Sequence, residues 1–146
     1  MKLKNILYLV FICNTANASN IKVSDCSYDL LIQQDKVYWC LVDKYQQSVL
    51  ALKYVETSAE KRLQQYDDKG ARGHNEDGSI DYEPYIHQAR TTFAELHRSF
   101  ILYREKQCSY SSMSNGALPG YRTPIASLSC KIDMNLSQIQ WIKNFI

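Results

Sequence analysis

The sequence predicts an all-α protein: a long helical hairpin plus a short third helix, stapled by two disulfides. Apolar residues recur at helical spacing over two long stretches, which is the main signal for amphipathic helices. No glycine or proline interrupts the first of these stretches. Of the five cysteines, Cys13 lies in a leader-like N-terminus and four follow it. An even number of cysteines in a small exported domain is typical of disulfide bonds.

Residues 1–18 have the pattern of a secretory signal peptide. A basic start and a short apolar run precede an A-x-A cleavage site formed by Ala16 and Ala18. We expect cleavage near Ala18. The mature chain is then a single domain over residues 19–146, located in the periplasm or secreted.

Two other interpretations of the N-terminus are weaker. A buried N-terminal helix does not account for the basic start and the cleavage site together. Lipidation at Cys13 requires a small residue before the cysteine, and Ile12 precedes it. The apolar run is also far shorter than the ~20 residues that a membrane-spanning helix needs, so we predict no membrane span.

The mature chain is formally neutral. The full sequence has 17 basic and 15 acidic residues, and the leader contains Lys2 and Lys4. A nucleic-acid-binding domain needs a strongly basic surface. We therefore predict no nucleic-acid partner, and the oligomeric state stays open.

The first predicted helix spans Leu30 to Tyr66. Its apolar positions are spaced by threes, fours and sevens, and are Leu30, Val37, Leu41, Tyr45, Val49, Leu52, Val55, Ala59, Leu63 and Tyr66. A helix of this length is unusual in a globular protein. It favours a helical hairpin or bundle over a sheet.

A polar, glycine-containing loop is predicted over residues 67–84. Pro84 suits the first turn of the second helix, where a missing N–H is tolerated. Apolar residues then recur by threes and fours as far as Tyr103. This second helix should end near Cys108.

Residues 109–129 are predicted to form a long surface loop, tied at its ends by Cys108 and Cys130. They lack a periodic pattern and contain several glycines and prolines. A short third helix then follows over residues 135–145. Asn135 can serve as its N-cap, with Gln138 completing a capping box.

The level of each cysteine along the hairpin gives a hypothesis for the disulfide pairing. If both helices rise equally per residue, positions whose numbers sum to about 151 lie side by side. Cys108 then lies closest to Cys40, which leaves Cys26 to pair with Cys130. No C-x-x-C motif is present, so zinc binding and thioredoxin-like redox chemistry lose support.

The remaining polar residues show neither a metal site nor an enzyme signature. Asn75, Asp77 and Asp81 partly match an EF-hand loop, but Gly73 and Pro84 occupy its two strongest ligand positions. The three histidines do not form a ligand set, and no nucleophile lies in a recognisable motif. We predict a protein that is not an enzyme and has no cofactor or metal.

The cysteines and their surroundings resemble the LprI-like lysozyme-inhibitor N-terminal domain family over about residues 25–142. The strongest match is an aromatic-x-x-aromatic-Arg-acid-x-x-Cys run, formed by Phe100, Tyr103, Arg104, Glu105 and Cys108. Further matches are Cys26, Cys40, Leu50, Tyr54 and Cys130. Departures from the family pattern are Phe100 for its usual Trp, Asn135 and Gln138 for its Thr and Arg, and Ala51 for its Asn.

The resemblance implies a helical, disulfide-stapled, exported protein, and it makes lysozyme a candidate partner. Lysozyme works with two carboxylates, so an inhibitor needs a restrained loop with donors for them. The residues predicted to bind from the loop are Ser112, Ser114, Asn115, Tyr121 and Arg122. The alternative function is a structural or adaptor module that binds another protein of the bacterial envelope.

Arg104 has two interpretations. It lies one position past the apolar stripe and could reach a carboxylate on the first helix, such as Asp43. An arginine flanked by aromatic residues on a rigid helix is also typical of a binding anchor. The structural role is favoured, because a disulfide at the neighbouring Cys108 would hold this side chain against the first helix.

Overall fold

The computed structural model confirms the all-α class. It describes residues 21–27, 32–68, 73–74, 77, 80–81, 85–114 and 120–145. The helices are α1 (Gln34–Asp68), α2 (Tyr85–Ser114) and α3 (Arg122–Phe145), after a 3-10 turn at Val23–Cys26. None of the helices in these ranges is both long enough and apolar enough to cross a membrane. The predicted signal peptide, including Cys13, lies outside the described residues.

A short antiparallel ribbon lies in the predicted loop between the first two helices. β1 (Gly73–His74) pairs with β2 (Ile80–Asp81), so that Gly73 is opposite Asp81. A turn at Asp77 lies between the strands. The segment that partly matches an EF-hand therefore contains a turn between two short strands.

The apolar stripe of α1 forms the centre of the core. Its buried members share one face of the helix and are Val37, Leu41, Leu52, Val55 and Ala59. The helices packed against this face contribute apolar side chains of their own: Phe93 of α2, and Ile132, Ile139 and Ile142 of α3. Full burial of side chains of this size stabilises the folded state by about 1.5–3 kcal/mol each. α3 packs more extensively on α1 and on α2 than these two helices pack on each other.

The predicted loop over residues 109–129 is wrong, because most of this segment is helical. α2 continues to Ser114, and α3 begins at Arg122 rather than at Asn135. Asn135 is fully buried in the middle of α3 and is therefore not an N-cap. The third helix, with 24 residues, is longer than the predicted 135–145 and is still the shortest of the three helices.

Local geometry explains how this serine- and proline-containing segment forms helix. Pro124 lies in the first turn of α3, where its missing N–H has no intrahelical acceptor to lose. The first bond of the helix runs from the N–H of Ile125 to the carbonyl of Tyr121 at 2.9 Å. Near the end of α2, the Ser112 hydroxyl donates to the Ser109 carbonyl at 2.8 Å. Serine hydroxyls can thus be satisfied within a helix.

The four cysteines that follow Cys13 all form disulfides, as predicted, but the predicted pairing is wrong. The bonds are Cys26–Cys40 and Cys108–Cys130, rather than Cys40–Cys108 and Cys26–Cys130. Cys26 lies in the turn before α1, so its bond joins that turn to the helix. Cys108 is fully buried and bonds α2 to α3.

The predicted disulfide pairing is wrong although the predicted register of α1 against α2 is close to the observed one. Glu56 contacts His97, and the Tyr45 ring contacts Arg104. Both pairs lie near the level that equal helix rise predicts. Two side chains at one level must also point towards each other, and Cys108 points towards α3 instead of α1.

Candidate functional site

A buried hydrogen-bond network joins all three helices. It is centred on Arg104, which belongs to the aromatic-Arg-acid-Cys run. The Arg104 residue of α2 is 5% exposed, and its Nη1 donates to Asn135 Oδ1 of α3 at 2.7 Å. Asn135 Nδ2 donates to Ser48 Oγ of α1 at 2.9 Å, and Ser48 Oγ donates to the Tyr45 carbonyl at 2.7 Å. Buried polar groups need such partners, because an unpaired group would lose its bonds to water without replacement.

Glu105 balances the charge of Arg104. Arg104 Nη2 and Nε donate to Glu105 Oε1 at 2.8 and 3.2 Å. Lys131 Nζ of α3 lies 2.5 Å from Glu105 Oε2. The guanidinium carbon also lies 5.7 Å from the ring centre of Tyr45 and 5.9 Å from that of Phe100. These distances allow cation–π attraction.

Arg104 therefore holds helices together and is not placed to contact a partner. This is the role favoured from the sequence, but its partners differ from the expected one. The carboxylate that it contacts is Glu105 of its own helix. Asp43 instead accepts a hydrogen bond from Gln47 at 2.7 Å.

The Glu105 carboxylate should make the stability of the fold depend on pH. Burial raises its pKa, but hydrogen bonds from Lys131 and Arg104 outweigh burial and hold the pKa below its usual range. A carboxyl of this kind contributes stability above its unfolded-state pKa, and this contribution disappears as the pH falls through the folded-state pKa. We expect Glu105→Gln to lower the melting temperature at neutral pH and to have no effect in strong acid.

Thermal denaturation of both proteins from neutral pH down to about pH 3 measures this difference. Glu95→Gln is the control, because Glu95 is an exposed carboxylate on the same helix. It should change the melting temperature little at any pH. If the melting temperature of the Glu105→Gln variant were lower than that of the parent by the same amount across the whole pH range, the prediction would be wrong.

An aromatic cluster lies where α1 and α3 begin. The ring centre of Tyr38 lies 5.1 Å from that of Trp39 and 5.0 Å from that of Tyr121. Trp39 is 63% exposed and Tyr121 is 40% exposed. We call Tyr38, Trp39 and Tyr121 the aromatic end.

Gly120 allows the segment before α3 to approach the start of α1. Its φ of +79° lies in the left-handed region, which glycine adopts without strain. A Cβ at this position would also lie 3.1 Å from Gln34 Oε1, which is tighter than ordinary contact. Gly120 thereby places Tyr121 against Tyr38.

Two of the residues predicted to bind a partner are not exposed on the surface. Arg104 and Ser112 are buried in the bundle. Ser114 is exposed at the end of α2, and its hydroxyl donates to the Ser111 carbonyl at 3.1 Å. Asn115 lies outside the described residues. The buried side chains of Arg104 and Ser112 are therefore not available to a partner.

Tyr121 and Arg122 do lie together, at the aromatic end and the start of α3. Tyr38 and Trp39 complete this end of the bundle and were missed by sequence reasoning. They fall outside the apolar stripe of α1, which is why periodicity passes over them. Two adjacent aromatic residues directly before a cysteine are the signal that could have found them.

A second candidate site is a groove lined by α1 and α2. His97 Nδ1 and Glu56 Oε1 form a hydrogen-bonded pair within it. Burial raises the pKa of Glu56, and the charge of His97 and its hydrogen bond only partly oppose this. Among the residues described by the structure, no three His, Cys, Asp or Glu side chains are grouped so that they could hold a metal ion.

Comparison with known proteins gives no match to a family model, to a curated protein or to a solved structure. The resemblance to the LprI-like family stays a prediction from the cysteines and the run around Arg104.

Proposed function

We propose that the chain is an exported binding protein without enzymatic activity, that it acts through the aromatic end, and that lysozyme is its target. The observation that carries the proposal is the exposed pair Trp39 and Tyr121 beside Arg122. Trp, Tyr and Arg are the residue types that most often dominate the energy of protein–protein binding.

The aromatic end is also held in place before any partner binds. Trp39 directly precedes Cys40, whose disulfide ties α1 to the preceding turn. Tyr121 packs on Tyr38. A surface whose side chains are already ordered loses less conformational entropy on binding, which favours affinity.

The choice of lysozyme combines the family resemblance with the chemistry of Arg122. Lysozyme has two carboxylates in its cleft. A guanidinium forms charge-assisted, bidentate hydrogen bonds with a carboxylate. Export follows from the leader-like N-terminus, and the two disulfides are typical of an oxidising compartment outside the cytoplasm.

We expect the mature protein to slow the lysis of a cell-wall suspension by lysozyme. Trp39→Ala/Tyr121→Ala should weaken this inhibition at least about tenfold, since each side chain is of the type that forms binding hot spots. Trp141→Ala is the matched control, because Trp141 is 40% exposed and lies near the end of α3, where it contacts Phe145. It should leave inhibition unchanged.

Circular dichroism shows whether the variants keep their helical fold. A folded parent protein that fails to slow lysozyme at micromolar concentration would contradict the choice of target. Equal losses in the Trp39→Ala/Tyr121→Ala variant and in the Trp141→Ala variant would contradict the choice of surface.

A structural or adaptor role for another envelope protein is the second candidate. It is favoured by exposed apolar side chains along α2, each at least 61% exposed: Leu102, Tyr103, Tyr110 and Met113. Capture experiments on an envelope extract separate the two functions. A partner other than lysozyme that the Trp39→Ala/Tyr121→Ala variant still binds would support the adaptor role.

A further inference from the structure

A continuous groove runs between α1 and α2. It consists of two adjoining cavities of about 680 and 480 Å³, which share Thr57, Glu60 and Ala94 as lining residues. Along α2 the groove extends from Leu102 to His87, which corresponds to about 22 Å of helix, or about four turns. α1 and α2 contact each other less than either contacts α3, so the hairpin stays open along this line.

The larger cavity has apolar side chains at its base and edge. Phe93 is 8% exposed, Ile101 is half-buried and Leu102 is 61% exposed. An apolar groove between two helices is the typical surface on which an amphipathic helix docks. A helix added here would be the fourth helix beside α1, α2 and α3, as in a four-helix bundle.

The rims of the groove carry an excess of positive charge. Lys53 and Lys61 line it from α1, and Arg98 lines it from α2. In the part of the chain that the structure describes, none of the three forms an ion pair. The groove contains two carboxylates, Glu56 and Glu60. Because Glu56 is paired with His97, Glu60 is the carboxylate that remains to offset the positive charge of the rims. An acidic ligand would therefore match these rims, whereas a basic one would be repelled.

We propose that this groove binds an acidic amphipathic helix of another protein. Its apolar side chains lie on Phe93 and Leu102, and its acidic side chains, on both flanks, face the cations of both rims. The groove shares no residue with the aromatic end. The inference therefore does not rest on lysozyme binding, and either proposal can fail without the other.

A labelled synthetic helix of about 15 residues, with leucines on one face and glutamates on both flanks, tests the proposal. Fluorescence anisotropy should show saturable binding to the full chain, weaker at high salt. Lys53→Glu/Arg98→Glu should weaken binding at least about tenfold. The matched control is Lys36→Glu/Lys106→Glu, which reverses exposed cations of the same two helices outside the groove. It should change the affinity less than about twofold.

Backbone NMR shifts on peptide binding should map to the groove, around Thr57 and Ala94. Shifts at the aromatic end, or equal weakening in the control variant, would overturn the location. Equal binding of a peptide with lysines in place of the glutamates would overturn the charge argument. A dimer detected by sedimentation, with groove shifts that follow protein concentration alone, would assign the groove to a second copy instead. If the double reversal does not fold, Arg98→Gln replaces it, with the same direction expected.

Discussion

Replacing Cys108 and Cys130 with alanine is expected to lower the free energy of unfolding by about 3 kcal/mol. The bond joins residues with a sequence separation of 22, and the chain-entropy model gives this magnitude for a loop of that length. Cys108 is also fully buried beside Met134, so an alanine leaves a small cavity. The loss is a large part of the ~5–15 kcal/mol that stabilises a typical domain. Urea denaturation followed by circular dichroism measures it.

Cys26→Ala/Cys40→Ala is the comparison. This bond joins a short turn to α1, so its removal should release the turn and leave the packing of α2 on α3 intact. We expect a smaller loss of global stability. Peptide mapping without reduction should recover one Cys26–Cys40 and one Cys108–Cys130 peptide. A Cys40–Cys108 peptide, or an unchanged denaturation midpoint in the Cys108→Ala/Cys130→Ala variant, would contradict the prediction.

Asn135→Ala is expected to cost about 3 kcal/mol of stability. Asn135 is fully buried and is the only described link between Arg104 and Ser48. Its removal leaves one donor of the buried Arg104 guanidinium without a partner. The loss of a hydrogen-bond partner lowers stability most when the buried group is charged. Asn144→Ala is the matched control on the same helix, since Asn144 is exposed. It should change stability by less than about 0.5 kcal/mol.

A double variant distinguishes the contribution of the hydrogen-bond network to stability from the contribution of side-chain packing. Arg104→Met/Asn135→Leu replaces both polar partners with apolar side chains of similar size. It should be more stable than the sum of the two single changes implies, because neither partner is left unpaired. Urea denaturation of the parent, the single variants and the double variant gives the coupling. An Asn135→Ala variant as stable as Asn144→Ala would show that the network contributes little.

The parts of the fold that follow from local pattern could be predicted from the sequence. The α1 stripe, with Leu41 and Leu52 at its centre, repeats over many turns, so its helical period stands out. Pro84 directly precedes the second helix, which begins at Tyr85. The oxidation of Cys26, Cys40, Cys108 and Cys130 was predicted from their even number and is observed.

The parts that depend on tertiary contact could not be predicted in this way. The helical parts of the predicted loop, residues 109–114 and 122–129, contain serines and Pro124, which have low helix propensity, and in α3 packing on α1 and α2 overrides that propensity. Asn135 has the residue type of a helix cap, yet Arg104 and Ser48 satisfy it in the core. The aromatic end joins Tyr38 to Tyr121, which are far apart along the chain. No local pattern connects such residues before the fold is known.

The connectivity of the two disulfides has a consequence for how the chain is made. Apart from Cys13, the cysteines are paired in the order in which they occur in the sequence, so that each bond joins two consecutive cysteines. A chain that enters an oxidising compartment N-terminus first presents Cys26 with Cys40 before Cys108 has arrived. Simple oxidation in order of arrival therefore yields the native bonds. The pairing of Cys40 with Cys108 would have required Cys26 to wait, unpaired, for Cys130. Formation of the two bonds needs an oxidant, but their pattern does not require an enzyme that reshuffles disulfides.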